Sequence, residues 1–332
     1  MKPSPGFPAL LESFFVDKLL RQRRASPHTV QSYRDTFRLL LAFTKQHLKK
    51  APSVLALDDL DTPTISAFLD HIEKERGNSP RTRNARLAAI HSFFQYAALQ
   101  APDHSAVIQR VLAMQGKKYN RSLVHFLSRP EIDTLLESPD RATWFGRRDH
   151  AMLLVAVRTG LRVSELAGLR VQDVVLGTGA HIHCLGKGRK ERCTPLRKEA
   201  VAVLRAWLRE RAATPAEPLF PNAHGGFLSR DGVAYLLAKH VQVAKTRCPS
   251  LRQKRVSPHV LRHSTAMDLL QAGVDSSVIA LWLGHESVET TQIYFAASLQ
   301  LKERALAKTA PTAERPARFR PDDKLLAFLQ RL

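Results

Sequence analysis

Three cysteines in 332 residues, none of them in a C-x-x-C pair, leave no disulfide framework to read. Cys184, Cys193 and Cys248 are odd in number, so reduced thiols in a cytoplasm are the simpler reading. Cys184 and Cys193 flank a candidate hairpin turn across which a bridge is open, although intracellular thiols stay reduced. Long apolar runs are also missing, and none approaches the roughly 20 residues of a membrane-spanning helix. The opening MKPSPGFPALLESFF has no apolar core or cleavage site of a secretory signal. His259 and His263 are four apart, a spacing of helical zinc ligands, but Val260 stands where an H-E-x-x-H enzyme has glutamate. No metal or other cofactor is therefore assigned. Acidic residues are scarce as well: 30 face 51 lysines and arginines, for a net charge of +21. That excess implies a polyanionic partner, nucleic acid first, with a membrane surface the weaker reading.

The length suggests two domains. Residues 1–104 read as a helical unit with apolar positions at helical spacing in four stretches: Leu10 to Leu20, Val30 to Phe43, Ile65 to Ile72 and Leu87 to Phe94. The fourth begins after Ser79 and Pro80 and carries Arg81, Arg83 and Arg86 near its start, where helix N-terminus and arginine both attract phosphate. Charges facing water are the ordinary alternative for each. Residues 105–122 read as a linker that holds a short apolar helix and a basic run with Lys117 and Lys118. A catalytic domain over 123–309 follows, and 310–332 is a proline-rich linker ending in KLLAFLQRL.

Within the second domain three stretches carry chemistry. In the first, an apolar helix over Ala151 to Val157 ends at Gly160, and Arg162 precedes a helix starting near Ser164 that carries Glu165. An arginine in such apolar surroundings needs a partner, which Glu165 alone can be. Next, HIHCLGKGRKERCTPL reads as a hairpin whose turn offers Lys187, Arg189 and Lys190. The third is SPHVLRHSTAMDLLQAGVDSSVIALWLGHESVETTQIY. Here Ser257 and Pro258 start a helix that puts His259 and Arg262 on one face, Asp275 caps a second helix ending near Gly284, and His285 and Tyr294 follow. A buried tyrosine is ordinarily packing. In this company its phenol can attack phosphorus, provided dense positive charge stabilises the transition state.

The strings T-G-L-R-V-S-E-L, H-V-L-R-H-S, L-G-H-E-S and T-T-Q-I-Y resemble the two catalytic boxes of the tyrosine recombinases, the phage-integrase family. The resemblance implies a mainly α fold with a small β-hairpin or sheet. Its parts are a helical N-terminal core-binding (SAM-like) domain, matched less specifically, and a mixed α/β catalytic domain. It also implies a site-specific recombinase that cuts and rejoins DNA through a covalent 3′-phosphotyrosine, with neither ATP nor metal. The residues carried over are Arg162 and Arg262 on the scissile phosphate, with His259 and His285, Lys187 as general acid (Lys190 the fallback), Tyr294 as nucleophile and Glu165 in support. His259 or a water would take the tyrosine proton. Arg81, Arg83, Arg86, Lys117, Lys118, Arg189 and Lys190 would contact double-stranded DNA. Copies of the chain would pair on one site and form a tetramer in the synapse through the C-terminal helix, with accessory recombination proteins as further partners and a bacterial, nucleoid-associated location. A type IB topoisomerase and a non-catalytic DNA-binding accessory protein are the competing readings.

Overall fold

The structure is a computed structural model that describes residues 5–119, 124–186, 191–285, Thr291 and Tyr294. Lys187, Arg189, Lys190 and the tail 310–332 lie outside these residues. The chain divides into two compact units, Met1–Arg121 and Ser122–Leu332.

The first unit is helical. Helix α1 (Phe7–Ser13) runs on into a π-helical stretch (Phe14–Gln22) and is followed by α2 (Pro27–His47), α3 (Thr62–Lys74), α4 (Pro80–Gln100) and α5 (Ser105–Leu112). Local chemistry explains three of the starts. Ser26, Asp61 and Ser79 each accept a hydrogen bond from the backbone N–H three residues on, and each helix has proline within its first two positions. Phe93 of α4 is the hub of the core. The rings of Phe7, Phe14 and Phe37 meet it edge-on at 5.7, 5.6 and 5.4 Å. Each such buried ring contributes roughly 1.5–3 kcal/mol by leaving water. The helix expected inside the linker is part of this core: Ile108 and Val111 of α5 are buried in it. A joint thus has only the residues after α5 to occupy, because an amphipathic helix next to an open apolar face docks rather than dangles.

The arginines expected on DNA are divided by this packing. Arg81 and Lys118 are exposed. Arg83 instead is buried, with its Nε 3.3 Å from a Glu73 carboxylate oxygen, and Lys117 donates to the same oxygen at 2.8 Å. Arg86 donates to the Ser32 carbonyl and the Thr36 hydroxyl, both at 3.0 Å. Arg83 and Arg86 therefore tie α4 to α3 and α2. Helical period alone could not show this, because it depends on which helix packs opposite.

The second unit contains α6 (Arg129–Leu136), α7 (Trp144–Thr159), α8 (Val163–Gly168), α9 (Lys198–Arg211), α10 (Arg230–Arg247), α11 (Pro258–Gln271) and α12 (Ser276–Leu283) together with a small antiparallel sheet. Its strands β1 (Val174–Val175), β2 (His181–Leu185) and β3 (Glu191–Pro195) lie in the order β1-β2-β3. The hairpin was legible; the two-residue β1 was too short to show a period. Helix α7 is the centre of the core, buried without a break from Arg148 to Val157. Its two charged core residues are accounted for: Arg148 donates to Asp149 at 2.9 and 2.7 Å, and His240 of α10 contacts the other Asp149 oxygen at 2.8 Å. Register settles the cysteines. Cys184 pairs with Arg192 and His183 with Cys193, so the two thiols point to opposite faces, and all three cysteines are free.

Candidate active site

Two helix C-termini build the site. The last carbonyls of a helix have no partner within it, and they carry partial negative charge. At the end of α7 they are satisfied from α11 and α12: Thr265 Oγ1 donates to the Val157 carbonyl at 2.7 Å, Trp282 Nε1 to that of Thr159 at 3.0 Å, and Arg262 Nη1 to that of Gly160 at 2.7 Å. Arg262 Nη2 donates to the Leu283 carbonyl at 2.6 Å, at the end of α12, and Arg162 Nη2 to the next carbonyl, Gly284, at 2.7 Å. Both arginines thus hang on adjacent carbonyls of one turn. Gly160 and Gly284 make this possible, being left-handed caps at φ +65° and +64°. A Cβ on Gly160 would come within 2.7 Å of Leu283, and one on Gly284 within 2.9 Å of the Arg192 guanidinium.

The two guanidinium groups differ in compensation. Arg162 precedes α8, and Glu165 accepts both its backbone N–H (2.7 Å) and its Nη1 (2.9 Å), a box closed on the helix start. Arg192 of β3 grips the same carboxylate with both terminal nitrogens, at 3.0 and 2.7 Å. Burial pushes the Glu165 carboxyl up, but the bonds from Arg192 and Arg162 outweigh it and hold the group below the ordinary carboxylate range. Arg262 is buried and, among the described residues, makes no ion pair. Burial, then the charge of Arg162, lowers its pKa to about 10, so it stays charged at neutral pH. Buried positive charge that has no ion-pair partner of its own among the described residues, beside a second arginine, favours a bound anion.

Tyr294 lies in an apolar cluster with Ala266, Met267, Leu270, Ile279 and Leu283 and is 1% exposed. Burial raises its pKa, and the charge of Arg262 acts in the opposite direction. The hydroxyl is 2.9 Å from His263 Nδ1, with the two rings edge-on at 5.6 Å. The His285 ring stacks on that of Tyr294 with centroids 6.4 Å apart, and its Nδ1 meets Thr291 Oγ1 at 2.9 Å. His259 is exposed at the start of α11, and its charge is one of the influences on His263.

The structure therefore brings together Arg162, Glu165, Arg262, His285 and Tyr294, whereas His259 makes no described contact with the hydroxyl. His263 and Arg192 were not singled out for the site. Sequence offered His263 only as half of a zinc-like spacing, and Arg192 only as one more basic residue past the hairpin turn. Among the described residues no group of histidine, cysteine or carboxylate side chains is arranged to hold a metal.

Burial first, and nearby positive charge second, lower the pKa of both His263 and His285 from 6.5 to about 4. The unfolded chain therefore binds more protons than the folded one between about pH 4 and 6.5, and stability falls as pH drops through that window. Depression of the Glu165 pKa acts in the same direction. Thermal unfolding followed from pH 7.5 to 5 is expected to show a falling midpoint, with a shallower slope in His263→Gln. A midpoint independent of pH would contradict these two neutral imidazoles.

Two helix-held arginines near a buried tyrosine are an arrangement suited to phosphoryl transfer. Comparison with known proteins agrees. Residues 125–300 match the phage integrase family, and residues 13–101 match the phage integrase N-terminal SAM-like domain. The chain belongs to the phage integrase family, the tyrosine recombinases. It is 61% identical over 323 residues to a protein of Sinorhizobium fredii named integrase/recombinase y4rC, covering 97% of each chain. Similarity extends to tyrosine recombinase XerD of Listeria innocua, 34% identical over 87% of this chain and 95% of the relative. Among solved structures, XerH site-specific recombinase bound to palindromic difH substrate superposes with TM-score 0.69 at 25% identity, covering 86% of this chain and 81% of that one. The Tn1549 transposon integrase with circular intermediate DNA, at 17% identity and TM-score 0.67, shares the fold, covering 90% of this chain and 98% of that one. The protein is thus a site-specific recombinase, an enzyme that breaks and rejoins DNA.

Proposed function

We propose that Tyr294 is the nucleophile of this strand exchange and that Arg162 and Arg262 hold the scissile phosphate. The observation that carries this reading is the pair of guanidinium groups fixed on the Leu283 and Gly284 carbonyls, with the tyrosine packed against the same helices. Guanidinium N–H groups not used by carbonyls are suited to non-bridging phosphate oxygens, where negative charge builds in the transition state. The new bond joins Tyr294 Oη to phosphorus and the bond to the 5′ oxygen breaks. His263, already at the hydroxyl, is placed to receive the phenolic proton, with His259 or a water the other candidates for that step. His285 and His259 donate toward the phosphate oxygens. Lys187, outside the described residues, would protonate the leaving 5′ oxygen. Rejoining reverses these transfers with a 5′ hydroxyl from a second duplex.

Double-stranded DNA is the substrate this site is built for, and Arg81 and Lys118 are among the exposed cations of the helical unit suited to its backbone. The test is a suicide substrate with a nick near the cleavage point, on which the purified protein should become covalently attached. Persistent binding without attachment would instead favour an accessory DNA-binding role.

We further infer that 1–104 and 123–309 act as DNA-binding and catalytic domains, that copies pair on one site and meet as a tetramer in the synapse, and that the tail 310–332 links them. What supports this is the tail's proline-rich stretch followed by Leu325, Leu326, Phe328, Leu329 and Leu332, an apolar set too short to be a stable helix alone. Deleting the residues after Ala310 is expected to leave single-site affinity within about 3-fold while reducing assembly of two sites by about 10-fold or more, in line with the loss of a multivalent link. Gel-shift titration on one-site and two-site DNA reads both, and unchanged two-site assembly would remove the tail from this role. A bacterial cytoplasm, at the nucleoid, fits three free thiols and bacterial relatives.

A further inference from the structure

The Glu165 carboxylate accepts four hydrogen bonds, two from Arg162 and two from Arg192. Its side chain is 4% exposed and that of Arg192 11%. Arg192 is therefore not displayed for a ligand: both terminal nitrogens are committed to Glu165, and its Nε is buried without a hydrogen-bond partner. A buried nitrogen left unbonded costs free energy, so the guanidinium is held there by something worth more than that loss. It also lies close to Gly284, where an added Cβ would sit 2.9 Å from Nη1 and 3.2 Å from Cζ. The carbonyl of that same glycine receives Arg162.

From this arrangement we infer that Arg192 is a positioning residue for strand exchange, fixing Arg162 through Glu165 and through the Gly284 turn. Charge explains why a second arginine is needed. Glu165 orients Arg162 by bonding it at two points, yet a lone Arg–Glu pair is neutral overall and would give up the attraction for phosphate. Arg192 shares the carboxylate and returns the group to a net positive charge, so Arg162 is oriented without being cancelled. It also ties β3, and with it the strand end of the hairpin, to the loop bearing His285. An arginine fork grips both oxygens of a carboxylate, and lysine has no such geometry.

The inference rests on the reading of Arg162 and Tyr294 given above, and a coupling measurement separates the two. Single-turnover adduct formation on the nicked substrate is compared for the unaltered protein, Arg192→Gln, Arg162→Lys and the double variant. Arg192→Gln is expected to slow adduct formation about 30- to 100-fold, the scale of a 1 Å misplacement of a catalytic group. Affinity for an uncleaved site should stay within about 3-fold, because most phosphate contacts remain. In the Arg162→Lys background the same change should cost less than about 3-fold more, since residues acting as one unit are not additive. Full additivity, an unchanged rate, or a loss of affinity equal to the loss of rate would each overturn the proposal. If Arg192→Gln does not fold, Arg192→Lys replaces it in the same cycle, with the same outcomes deciding. Failure of the underlying reading shows separately, as no adduct with the unaltered protein.

Discussion

Tyr294→Phe yields no covalent protein–DNA adduct on the nicked substrate, a loss of at least about 1,000-fold, while DNA affinity is unchanged: this is the expected result with the largest effect. The ring should stay where it is, because its surroundings are Ala266, Met267, Leu270, Ile279 and Leu283, which contact carbon rather than oxygen. Only the hydroxyl is lost, leaving His263 Nδ1 without its partner at a cost of about 1–3 kcal/mol in stability. The variant therefore separates chemistry from folding. Denaturing gels report the adduct, and a gel shift the affinity; an adduct formed by Tyr294→Phe at an unaltered rate would remove this residue as nucleophile.

Arg262→Lys is expected to slow adduct formation about 100- to 1,000-fold, the scale seen when one charge-stabilising donor is taken from a transition state. The wild-type fork spans the Gly160 and Leu283 carbonyls at 2.7 and 2.6 Å, and one ammonium cannot reproduce that geometry. A carbonyl left bare at the end of α7 or α12 would also loosen the turn on which Arg162 rests. Overall DNA affinity should fall much less than the rate, since a net charge of +21 supplies many other phosphate contacts. Rapid-quench measurement of the cleavage rate at saturating protein decides; a rate within about 3-fold of the unaltered protein would mean Arg262 serves only to close two helices.

Arg262 has a frame role, and in the proposed reaction a chemical one as well, because of where the charge is placed. A helix C-terminus attracts a cation, and two such ends meeting at one turn attract two. The arginines then satisfy carbonyls that would otherwise be orphaned. This is also why the glycine caps at 160 and 284 matter: side chains there would displace Leu283 and Arg192.

Particular residues show what could be read beforehand. The capped starts at Ser26, Ser79 and Ser257, the stops at Gly160 and Gly284, and the alternation of β2 and β3 are local features, set by a few neighbouring residues and visible in their order. So were Arg162, Glu165, Arg262, His285 and Tyr294, because each sits at a fixed offset from such a signal. That Arg83 and Arg86 pack between helices was not legible, for the opposite reason. A helix wheel shows which residues share a face, but it does not show that Glu73 of α3 and Thr36 of α2 stand opposite. Likewise α5 has the pattern of a docked helix, and only the packed core shows what it docks on.

By itself, then, the sequence determined the class of chemistry, the helical two-part plan and five residues that the structure brings together, because hydrogen-bonding caps, turn glycines and motif spacings act over a few residues. Only the tertiary structure decided that His263 rather than His259 meets the Tyr294 hydroxyl, and that Arg192 shares Glu165 with Arg162. Those contacts join residues 31 and 27 positions apart, and their geometry is fixed by how α11, α12 and β3 pack, which no short stretch of the chain encodes.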